Sequence, residues 1–90
     1  MIEGTSRPRL AAGVRLQEDK VRGRWVVQAP ERMIVPDDIA LAILYLLDGE
    51  RSLDAVVDEL AGRYAAPRQE IAADVTAMLE ELAAKGIVTW

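Results

Sequence analysis

At Pro36 the hydrophobic period of the chain changes, and that change divides it into a half suited to sheet and a half suited to helix. Before Pro36, apolar and polar residues alternate. The run "GVRLQED" sets Val14 and Leu16 on one face and Arg15 and Gln17 on the other, and "RWVVQA" sets Trp25, Val27 and Ala29 opposite Val26 and Gln28. Between them "DKVRG" supplies turn residues, so the two runs are expected to form a hairpin. "PERM" then turns the chain into a third run, Met33 to Val35, too short for a helix and too apolar for open solvent. A short third strand beside the hairpin is the expectation. Residues 1–12 show no periodicity and read as a flexible N-terminal tail, with one domain over residues 13–90.

After Pro36 the spacing is helical. The first helix should start at Pro36 or Asp37, with Asp37 and Asp38 suited to the positive end of the macrodipole, and end at Asp48-Gly49. Ile39, Leu41, Ile43, Leu44, Leu46 and Leu47 surround it, which marks it as the central helix. The second should open at Ser52, a good N-cap, with Leu53, Val56, Val57, Leu60 and Tyr64 on one stripe. The third should run from near Pro67 to Gly86, with Ile71, Val75, Met78, Leu79 and Leu82 inward and Lys85 in its last turn. The closing "IVTW" reads as a short extended segment free to fold back on the core. The fold class is α+β: a three-stranded antiparallel sheet followed by a three-helix bundle.

Composition excludes more function classes than it suggests. Ninety residues make one modest core, since a chain this short buries roughly 60–70% of its unfolded surface. With no Cys and no His, the chain lacks thiolate ligands, the commonest metal ligand and the usual general base at neutral pH. The carboxylate pairs Asp58-Glu59 and Glu80-Glu81 are sequence neighbours, so on a helix they point apart and form no acid–base dyad. No Gly-rich phosphate loop is present. No enzyme, cofactor or metal is expected. The longest apolar stretch falls far short of the ~20 residues that span a bilayer, and the N-terminus lacks a signal-peptide pattern, so a cytoplasmic protein is expected.

Charge is segregated. Residues 1–32 carry seven basic and four acidic residues, and residues 33–90 carry four basic and eleven acidic ones, for a total of −4. A negative helical half repels phosphate, so nucleic acid would have to be held by the N-terminal half alone. A winged-helix DNA-binding module is the alternative reading. The acids Glu70, Asp74, Glu80 and Glu81 on the third helix, against Arg68 and Lys85, oppose it. The third strand offers a different role. Arg32 and Pro36 flank it without interrupting it, and an edge left open can accept an added strand from an extended peptide.

The blocks "RGRW", "APER", "AILYLLDGERSLDAVVDEL" and "DVTAMLEELAAKGIV" together resemble the PqqD family of pyrroloquinoline quinone (PQQ) biosynthesis, over about residues 8–88. The resemblance implies a winged-helix-like fold of three strands and three helices acting as a peptide chaperone, a recognition element for ribosomally made, modified peptides. Such a protein binds a PqqA-like precursor peptide and presents it to a PqqE-like radical S-adenosylmethionine (SAM) enzyme that cross-links a Glu and a Tyr. It has no catalysis of its own, and neither nucleic acid nor membrane is a partner. A monomer or weak homodimer is expected. In related recognition domains the peptide lies antiparallel to the third strand in a groove walled by the third helix. Carried over, that implies Arg32, Met33, Ile34 and Val35 on one side and Asp74, Val75, Met78 and Leu82 on the other. Family members often have Phe where this chain has Met78, whereas the Ala29-Pro30-Glu31 turn is intact.

Overall fold

The computed structural model describes residues 1–90. In chain order the elements are β1 (Arg9–Leu10), β2 (Arg15–Asp19), β3 (Arg24–Ala29), β4 (Arg32–Ile34), α1 (Asp38–Leu44), α2 (Leu53–Arg63), α3 (Arg68–Ala84) and β5 (Val88–Thr89). The expected α+β arrangement is present. β2, β3 and β4 form an antiparallel sheet in that order, and a second, unforeseen sheet pairs β1 with β5.

Local chemistry explains the β2–β3–β4 sheet. Asp19 pairs with Arg24 at the tip of the first hairpin, and the four-residue loop between them closes on Gly23, whose φ is +64°. The second hairpin is tighter. Ala29 pairs with Arg32, leaving Pro30 and Glu31 as the turn. Proline fixes the first central residue, and Glu31 takes φ +64°, the type II pattern usually given to glycine. The register places Ile34 opposite Val27 and Met33 opposite Gln28. Ile34 therefore shares the core face with Val27, which is 1% exposed, while Met33 points to the other face.

The helices are capped at both kinds of end. Asp37 Oδ1 accepts from the Ala40 N–H at 2.8 Å and Ser52 Oγ from the Ala55 N–H at 3.1 Å. α3 closes in a Schellman motif: Gly86 at φ +76° donates to the Ala83 carbonyl, and Ile87 donates to the Leu82 carbonyl. This reverses the chain and drives Ile87 and Val88 into the core, so "IVTW" does fold back.

Two expectations meet a different outcome. α1 ends at Leu44 rather than at Asp48-Gly49. Beyond it the N–H groups of Leu46 and Leu47 bond three residues back, to Ile43 and Leu44, a tighter winding that buries both leucines. Asp48 then pairs with Arg9 and accepts from the Arg51 and Glu50 N–H groups at 2.8 and 2.9 Å. Those two bonds hold its carboxyl below the ordinary carboxylate range. The other outcome concerns residues 1–12, which were expected to be a flexible tail. Ile2 and Pro8 are buried, and the Ser6 and Gly4 carbonyls accept from the Leu53 and Asp54 N–H groups. These are the first two amides of α2, which have no partner within the helix, so the N-terminal segment completes what Ser52 begins.

Candidate functional site

β4 is an edge strand whose outer row of N–H and C=O groups faces no other strand. On its outward face Met33 is 50% exposed and Val35, just beyond the strand, is 49% exposed. From there the chain passes through Pro36 and the Asp37 cap into α1, where Ile39 is also exposed. The apolar surface thus leads from the open edge toward the helices.

Ile39 is one wall of a groove of about 220 Å³. Ile43 adds to that wall, Leu60 and Tyr64 bring the end of α2, Ala66 the α2–α3 link, and Ile71, Asp74, Val75 and Met78 one face of the first three turns of α3. The floor is rigid, because Ile43, Leu60 and Val75 are core residues exposed by no more than 3%. Tyr64 at the lip is exposed, although its place on the α2 stripe suggested an inward role. α3 is tied to α2 across this end by Arg68, whose Nε lies 2.6 Å from Asp58 Oδ1, with Asp54 at 3.7 Å. The Asp58 hydrogen bond and charge raise the Arg68 pKa further above its already high value.

The eight residues inferred from the sequence do not form one cavity. Asp74, Val75 and Met78 line the groove. Arg32, Met33, Ile34 and Val35 lie at the edge that precedes it, with Ile34 packed on the core side. Leu82 packs against the core outside the groove. Ile39, Tyr64 and Ile71 were not anticipated as site residues, since their spacing matched core stripes. The exposure of Ile39 and Tyr64 emerges only from how the helix ends meet.

The surroundings bear on chemistry. No group of three or more carboxylates stands together as metal ligands would, and no helix is long and apolar enough to cross a membrane. The one basic residue of α3, Arg68, and Lys85 at its C-cap are both engaged within the chain, Arg68 with Asp58 and Lys85 with Glu81 at 3.4 Å. A recognition helix for DNA needs free cations on its exposed face, and α3 presents Glu70, Asp74 and Glu80 instead.

Comparison with known proteins agrees with this geometry. Residues 24–88 match the family model described as coenzyme PQQ synthesis protein D (PqqD). A PqqA binding protein of Rhodopseudomonas palustris (strain BisB5) is 51% identical over 88 residues, covering 98% of this chain and 86% of that one. The solution NMR structure of the PqqD truncation of Methylobacterium extorquens PqqCD superposes with a TM-score of 0.82 at 39% identity, covering 100% of this chain and 96% of the other. That truncation is described as a functional, stand-alone recognition element for ribosomally synthesised and post-translationally modified peptides. The crystal structure of PqqD from Xanthomonas campestris is 42% identical, with a TM-score of 0.57 and 94% of each chain covered.

Proposed function

The chain belongs to the PqqD family, and from that premise we propose that it binds a PqqA-like precursor peptide by strand addition at β4 and presents it to a PqqE-like radical SAM enzyme in PQQ biosynthesis. The observation that carries the proposal is the open β4 edge, with its exposed apolar residues leading to the groove. An extended peptide paired with β4 gains backbone hydrogen bonds there. Its alternate side chains point to opposite faces, one set toward Met33 and Val35 and the other toward the helix side.

The role assigned here is binding without catalysis, in the cytoplasm, by a monomer or weak homodimer. A rigid groove floor suits it, because ordering a flexible receptor would add to the ~2–5 kcal/mol already needed to order the peptide. A few backbone bonds at about 0.5–1.5 kcal/mol each and two or three buried side chains at roughly 1.5–3 kcal/mol each must exceed that cost and the loss of rigid-body freedom. A Kd in the micromolar to sub-micromolar range, about 8–9 kcal/mol, is the expected surplus.

The test combines calorimetric titration of the precursor peptide with turnover of the radical enzyme, with and without this protein. Binding together with protein-dependent turnover supports the proposal. Turnover at full rate without the protein would overturn the presenting role.

A further inference from the structure

The groove between α1, α2 and α3 contains one charged group, and that group has no partner. Eight of its nine lining residues are hydrophobic; the exception is Asp74. The chain's salt bridges are made by Asp19, Asp48, Asp54, Asp58, Glu59 and Glu81. Asp74 makes none, nor does Glu70 one helical turn earlier, and the nearest base on the same helix, Arg68, is turned to Asp58 and Asp54. Asp74 therefore stands free on the α3 side of an apolar groove, with a second free carboxylate, Glu70, one turn earlier on the same helix, and no salt bridge of the chain neutralises either.

Volume restricts what enters. Drug-sized ligands and cofactors occupy pockets of about 300–1,000 Å³, whereas an apolar cavity of ~150 Å³ already admits benzene. At about 220 Å³ the groove suits one large apolar side chain. Resting on the peptide-binding reading above, we infer that this groove selects a peptide segment in which an apolar side chain enters between Ile39 and Met78 and a Lys or Arg two residues away meets Asp74. The two-residue spacing follows from an extended peptide, whose alternate side chains share a face. An acidic residue at that position is disfavoured by the same carboxylates.

Asp74 is exposed and unpaired, so Asp74→Asn leaves the fold intact. The probe is a set of three synthetic heptapeptides, identical except that Lys, Gln or Glu stands two residues from a central Leu. Each is titrated into the 15N-labelled full chain, with the amides of β4 and of residues 74–78 followed by NMR. The Lys peptide is expected to bind about two- to fivefold more tightly than the Gln peptide, as a solvent-exposed ion pair gives, and the Glu peptide more weakly still. Asp74→Asn should abolish the order. Equal binding of all three by the unaltered chain, or a Lys preference that survives Asp74→Asn, overturns the inference and leaves strand addition standing. Shifts confined to β4 exclude the groove as the docking site. If no heptapeptide perturbs either region while the full precursor peptide still shifts β4, this inference falls alone; if the precursor also shifts neither region, the peptide-binding reading falls with it.

Discussion

Glu31 holds a φ of +64° in the turn that launches the edge strand, and no other residue except glycine has a positive φ in this chain. A side chain in that region costs about 1–2 kcal/mol relative to glycine, part of which glycine returns through its freer unfolded state. Glu31→Gly should therefore stabilise the fold by ~0.5–1 kcal/mol in urea denaturation. An unchanged or lower midpoint would mean that the Glu31 side chain makes a compensating interaction. Ser52 is the opposite case. Its hydroxyl caps Ala55, and Ser52→Ala should cost about 1 kcal/mol. Asp48 adds a pH dependence. Its folded pKa lies below the unfolded one, so its stabilising effect is present above the ordinary carboxylate pKa and is lost as pH falls through the lower folded value. Asp48→Ala should lower the melting temperature at pH 7 and narrow its gap to the unaltered chain under acid conditions; a gap that widens in acid would contradict the assignment.

At the scale of elements, the parts readable from the sequence were those fixed by local rules. The hairpins followed from alternation and turn residues, the start of α2 from Ser52, and the end of α3 from Gly86. What stayed hidden depended on contacts distant in sequence. The early end of α1 arises because Leu46 and Leu47 both reach the core only if the helix tightens. The groove arises because Ile39 and Tyr64, each on an apolar stripe, reach the surface where three helix ends meet. The same geometry sorts the site substitutions. Val75 is 2% exposed, so Val75→Asp would bury a charge and unfold the chain rather than report on binding. Met78 is partly buried at the groove wall, and Met78→Ala should keep the fold while weakening peptide binding several-fold. Met33 stands opposite Gln28 in the non-bonded pair, so its N–H faces the open row and Met33→Pro removes a donor there; if circular dichroism shows the variant folded, its peptide affinity should fall markedly. Full affinity in a folded Met33→Pro chain would exclude strand addition at β4.

Across the whole molecule the N- and C-terminal segments close the fold together. β1 and β5 pair, Ala11 donates to the Ile87 carbonyl, and residues 2–6 lie along the start of α2. Gly4 approaches so closely that a Cβ there would collide with the Asp54 carboxylate. Removing residues 1–6 would expose the surface covered by Ile2, a side chain worth roughly 1.5–3 kcal/mol when buried, and leave two α2 amides to water. With the ordering of the segment set against this, a net loss of about 2 kcal/mol and a fall in melting temperature of about 10 °C are expected. An unchanged melting temperature would restore the flexible tail that the sequence suggested. With its termini anchored, the molecule keeps the β4 edge and the groove open, and strand addition concerns that edge. The most direct measurement is an NMR structure of the chain with its precursor peptide bound. Intermolecular Hα–Hα contacts between the peptide and β4, antiparallel in sense, with slowed amide exchange at Met33 and Val35, whose N–H groups face the open row, are the predicted result. A bound peptide whose contacts all fall on the β2–β3 hairpin tip or the outer face of α2, with β4 exchange unchanged, would contradict the account.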